Sequence, residues 1–205
     1  WGLPPDPVET AQAFGYMLAG MPQLAYQVLI SAARHLEKQG RPILQAEALI
    51  QAAKAAMAAG DAGAALDSVE KALAIESLAD RPGWRAIAEL VLADATVALG
   101  GAYDPADLAE LSERFLDWEN LTGAAHSLTL SATVDIDAGH VDRALRTLER
   151  MTSLDADLGE LPVRLRAAVA VCAAKAESLG PVAASDEPAR SAPQCLCESD
   201  RWGRF

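Results

Sequence analysis

The stretch that decides the fold is Ala46-Glu47-Ala48-Leu49-Ile50-Gln51-Ala52-Ala53-Lys54-Ala55-Ala56-Met57-Ala58-Ala59-Gly60-Asp61-Ala62-Gly63-Ala64-Ala65-Leu66-Asp67-Ser68-Val69-Glu70-Lys71-Ala72-Leu73-Ala74-Ile75-Glu76. Leu49, Ala53 and Ala56, and then Leu66, Val69 and Leu73, recur at three and four, the spacing that puts apolar side chains on one helical face. Between the two runs, Gly60 stops one helix and Asp61 caps the next. The stretch therefore predicts two antiparallel helices joined by a short turn. Their facing positions are alanine, which lets the backbones approach closely.

Outward from Gly60 the same spacing returns. Five residues after Gly20, Gly60 and Gly139 stand Ala25, Ala65 and Ala144. Nine after come Leu29, Val69 and Leu148, and twelve after come Ala32, Ala72 and Met151. Gly20 to Gly60 is 40 residues and Gly60 to Gly139 is 79, with Gly100 near the midpoint. Gly, Pro, Asp and Asn punctuate the rest. Helices are expected over 7–19, 22–39, 42–59, 61–77, from Pro82 to the Gly100-Gly101 pair, 105–118, 120–138, 141–154 and 159–179. No alternating strand pattern of useful length is present. A single hairpin cannot bury its apolar stripe alone, so repeated hairpins are expected to stack.

The pattern resembles the tetratricopeptide repeat. The best match is 46–76, the second is 128–152, with Ala132, Gly139, Ala144-Leu145 and Leu148, and Met17 to Ala32 is a partial third. The spacing near 40 exceeds the usual period of about 34, and the unit from Pro82 to Trp118 fits badly. The resemblance implies an all-α, tetratricopeptide-like α-solenoid of about four helical hairpins plus a C-terminal helix. Longer degenerate repeats of this kind look like those in the sensor arms of MalT-type bacterial regulators. An alternative is therefore a regulatory arm of a larger signal-transduction or transcriptional regulator.

Composition narrows the classes. The chain has 205 residues, of which 44 are alanine, and 5% are aromatic, which favours closely packed helices over an aromatic-rich sandwich. No long uncharged apolar run suggests a membrane span. The net charge of −12 disfavours nucleic acid and anionic membrane as partners. The start at Trp1 reads as that of a fragment or processed product, without a visible signal-peptide pattern. Cys172, Cys195 and Cys197 form no disulfide framework, and a reducing, cytoplasmic setting is expected. Cys172 reads as a small buried apolar residue. Residues 1–180 are expected to form the helical repeat domain, and 181–205, ending Arg201-Trp202-Gly203-Arg204-Phe205, a flexible tail.

Chemistry-bearing motifs are few. Asp135-Ile136-Asp137-Ala138-Gly139-His140 has metal-ligand types, but they sit where a helix end and turn require polar residues. His35, His126 and His140 fall in different segments. No metal, cofactor or catalytic residue is assigned. The most uneven feature is charge. Asp104, Asp107, Glu110, Glu113, Asp117, Glu119, Asp135 and Asp137 face only Arg114 within 104–137, which is −7 of the total −12. Asp107, Glu110, Glu113 and Asp117 share one side of the sixth helix. The expected function is protein–protein interaction by a monomer or weak dimer that binds a protein or peptide, a basic one. Asp107, Glu110, Glu113 and Asp117 would steer it, and Phe115 and Trp118 would anchor it.

Overall fold

The structure, a computed structural model, describes residues 7–158, with side chains from 9 to 151, and also Ser178. It is all-α. The described helices are α1 (Pro7–Leu18), α2 (Pro22–Lys38), α3 (Pro42–Ala58), α4 (Ala62–Leu73), α5 (Pro82–Ala98), α6 (Pro105–Asp117), α7 (Leu121–Asp137) and α8 (Val141–Leu158). There is no strand among the described residues. None of the described helices is long and apolar enough to cross a membrane. The expected helix 159–179 apart from Ser178, with Cys172, Cys195, Cys197 and the tail 181–205, lies outside the described residues.

Two boundaries differ from expectation. The fourth helix stops at Leu73, and a 3-10 turn follows over Glu76–Asp80. That turn buries Leu78 in the core, which a continuing α-helix would rotate away. The eighth helix runs past Leu154 to Leu158.

Most helix junctions use one device. The residue after the C-cap adopts positive φ at Gly20, Gly40, Gly60, Gly100 and Gly139, between 65° and 80°. The next amide then donates to the carbonyl five residues back, at 2.7–3.0 Å, from Met21, Arg41, Asp61, Gly101 and His140. This double-bonded cap satisfies carbonyls that the helix end would orphan. A sixth junction has the same bonds without glycine: Glu119 sits at φ 56°, and Asn120 N–H donates to the Phe115 carbonyl at 2.8 Å. A side chain in this region costs about 1–2 kcal/mol, partly offset by the greater freedom of glycine in the unfolded chain. Glu119→Gly is thus expected to stabilise the protein by about 0.5–1 kcal/mol, read as a higher urea midpoint.

Helix starts are handled in two ways. α2, α3 and α5 begin with Pro22, Pro42 and Pro82, which carry no N–H that needs a partner. Asp61, Asp104 and Asn120 accept from Ala64, Ala106 and Gly123 N–H at 2.9, 2.8 and 3.0 Å.

The chain divides into two compact units at Gly101–Ala102. In the first, each of α1 to α4 packs on its successor, and α3 also packs on α5. Its core centres on α3, where Ala46, Ala53 and Ala56 pack with Ala65, Val69 and Ala72 of α4. In the second, α7 packs between α6 and α8, and Ala125, Leu128, Ala132 and Ile136 meet Val141, Ala144 and Leu148. All nine positions of the sequence register are buried: Ala25, Leu29, Ala32, Ala65, Val69, Ala72, Ala144, Leu148 and Met151.

The misfit of the Pro82–Trp118 segment has a local cause. α4 and α8 begin two residues after their turn glycines, whereas α6 begins five after Gly100. The insertion moves the register by three, so Leu108, Ser112 and Phe115 occupy the +5, +9 and +12 positions, and all three are buried. Leu108 thus stands where the other units have alanine, and the Phe115 ring where they have Ala32, Ala72 and Met151. The ring is matched across the contact, where Gly123 of α7 lies under it.

Candidate partner-binding surface

α6 separates its residues cleanly. Leu108, Leu111, Ser112 and Phe115 face inward, while Asp107, Glu110, Glu113 and Asp117 are exposed. The four acids fall within roughly 120° of the helix circumference. The carboxylates are therefore placed on one face, as the spacing implied.

Three features of the expected surface need correction. Phe115 is 1% exposed and is a core residue, not an anchor for a partner. A β-carbon at Gly123 would lie 2.7 Å from its ring, so the ring fills the space that the glycine leaves. Trp118 is the aromatic that remains outside, 43% exposed, with its ring edge-on to Phe115 at 6.3 Å. Second, Glu113 is ion-paired with Arg150 of α8. Third, Asp135 is buried and accepts from Arg143 Nε at 2.7 Å. A count of charges within 104–137 misses both arginines, because they come from the next helix.

Arg143 also donates to His140 Nδ1 at 2.9 Å. The hydrogen bond to Asp135 is the main cause that raises the guanidinium above its ordinary pKa. The metal-like stretch 135–140 is thus divided: Asp135 turns inward to Arg143, and Asp137 is exposed. Removing Arg143 leaves a buried carboxylate without this partner, whereas removing both charges does not. Arg143→Ala is expected to lower the denaturation midpoint further than Arg143→Ala combined with Asp135→Asn. The Glu113–Arg150 pair is solvent-exposed on both sides and should contribute about 0–1 kcal/mol.

The contiguous acidic surface on α6 therefore reduces to Asp107, Glu110 and Asp117 beside Trp118. The three histidines are dispersed. His35 of α2 pairs with Gln39 in the first unit, while His126 and His140 lie in the second.

The first unit holds features that periodicity did not single out. Phe14, Leu18, Met21 and Leu24 at the α1–α2 end are large apolar residues that remain 41–55% exposed. On α3, Lys54 and Glu47 are half-buried charges. Burial holds the Lys54 amine below its usual range and pushes the Glu47 carboxyl above its own, the latter opposed by the charge of Arg81. In sequence both read as ordinary polar positions of an amphipathic helix. Comparison with family models, with curated proteins and with solved structures finds no match.

Proposed function

We propose that each unit is a stretch of tetratricopeptide-like helical repeat, and that the protein is a non-catalytic interaction module binding a segment of another protein. The observation that carries this reading is the burial of all nine register positions after Gly20, Gly60 and Gly139. Equivalent small and bulky residues fill equivalent contacts, which is how stacked hairpins build a core from units that cannot fold alone. The spaced glycine caps support the same reading, since they turn the chain back at similar intervals.

In the second unit the segment bound is a basic one. Asp107, Glu110 and Asp117 set the sign of the field, and Trp118 supplies apolar area. Single exposed pairs contribute little, so the acids act mainly on encounter rate and selectivity. The test is binding of the full chain to fluorescein-labelled Lys/Arg-containing peptides at two salt concentrations. Wild type should bind them with an association rate that falls as salt rises. The variant with Asp107, Glu110 and Asp117 changed to lysine should bind more slowly, with a flat salt dependence. Equal rates for the two proteins at low salt would show that the α6 acids only keep that face hydrated.

A further inference from the structure

α3 is the central helix of the first unit and packs against α2, α4 and α5. From Ala46 to Ala58 every residue is buried apart from Glu47, Gln51 and Lys54, which are half-buried. With Ile43, also half-buried, these three lie within about 80° of the helix circumference. From Ala46 to Ala58 the helix is therefore open along one stripe only, and there the stripe is polar. Its chemistry is ordered: an apolar end at Ile43, a carboxylate at Glu47, an amide at Gln51 and an amine at Lys54.

Among the described residues Glu47, Gln51 and Lys54 make no side-chain hydrogen bond or ion pair. Leaving a half-buried ammonium unmatched is unfavourable, and a helix core otherwise built from alanine, leucine and isoleucine has no packing need for it. A ligand group that brings negative charge to Lys54 removes that cost.

We infer that the Ile43–Lys54 stripe of α3 seats an extended segment of another protein, with a carboxylate of that segment at Lys54. The inference rests on the interaction-module reading and deepens it for the first unit. Charge selects the carboxylate, because Lys54 is the stripe's only cation. Length selects an extended chain over a compact anion. The eleven steps from Ile43 to Lys54 span about 16 Å, which is the reach of about five extended residues. Gln51, one turn before Lys54, offers a donor and an acceptor to a peptide group. Glu47, two turns before Lys54, accepts an N–H further along the segment. Burial raises the Glu47 pKa, and the charge of Arg81 opposes that rise.

The probes are three pools of fluorescein-labelled nonapeptides, alike apart from a central Glu, Gln or Lys, titrated into the full chain and followed by anisotropy. Wild type should bind the Glu pool at least about ten-fold more tightly than the Gln pool, a difference of about 1.4 kcal/mol. The net charge of −12 works against that preference, so nonspecific electrostatics cannot produce it. Lys54→Met should remove the Glu-over-Gln preference, and Lys54→Arg should keep most of it. Folding is checked independently. Because burial lowers the Lys54 pKa, the folded chain releases this proton before the unfolded chain does. Stability should then rise as pH climbs through the lowered pKa toward 10.5, and Lys54→Met should lose that rise and raise the midpoint at pH 7. If wild type binds the Glu and Gln pools equally, or if Lys54→Met keeps the preference, this inference fails and the module reading stands. If wild type binds none of the pools at millimolar protein, both fail.

Discussion

Phe115→Ala is expected to destabilise the α6–α8 unit by about 3–5 kcal/mol, the range for removing a buried aromatic ring and leaving a cavity. Phe115 is among the largest fully buried side chains, and it bridges α6 to the start of α7. Its partner in this contact is the absence of a side chain. A β-carbon at position 123 would stand 2.7, 2.8 and 2.9 Å from three ring carbons, too close without displacing the ring. Gly123→Ala is therefore expected to cost about 1–3 kcal/mol by overpacking, despite alanine's better helix propensity of about 1 kcal/mol. The two sites should couple. Gly123→Ala should cost less in a Phe115→Leu background, where the smaller side chain leaves room for the methyl group. Hydrogen exchange of the α6 and α7 amides, followed through urea titration, locates the effect in this unit. Additive losses in the double variant would show that the ring does not depend on the glycine.

Ala65→Leu carries the second large effect, about 1–3 kcal/mol of destabilisation. Ala65 is fully buried and packs in the core with Ala46, Ala53 and Ala56 of α3. Those neighbours are already methyl groups, so no longer side chain is available to withdraw and make space. The added isobutyl group must push α4 away from α3, and the close approach of two alanine-lined helices is lost. A lowered urea midpoint with weaker exchange protection in both helices is expected. The neighbouring Leu66, half-buried, marks how sharply the register is set, because one step along the helix a leucine is already accommodated. An unchanged midpoint for Ala65→Leu would mean that the repeat register does not define the contact.

The helices were legible because their ends are written locally. Gly20, Gly40, Gly60, Gly100 and Gly139 supply positive φ, Pro22, Pro42 and Pro82 remove a donor, and Asp61, Asp104 and Asn120 provide one acceptor each. Every one of these acts on amides and carbonyls within a few residues, so the linear sequence contains all the participants. The register positions Ala25, Ala65 and Ala144 were legible for a related reason: repetition marks them as contact positions whatever they contact. The exception at the ends is Glu119, whose left-handed conformation is set by the bonds around it and not by its own preference.

What the sequence by itself determined, then, is that the chain is helical, where nearly every described helix begins and ends, and which face of α2, α4 and α8 turns inward. The tertiary structure alone decided the fates of individual charged and aromatic side chains. Phe115 has the spacing of either a core residue or an anchor; the three-residue insertion before α6 and the glycine on α7 place it inside. Asp135 and Glu113 belong to an acidic run until α8 folds back and presents Arg143 and Arg150. Lys54 and Glu47 are unremarkable until α2, α4 and α5 close around α3 and leave them on its one open stripe. A cap is a short-range interaction, fixed by neighbours in the chain. Burial and ion pairing are sums over groups that only packing brings together.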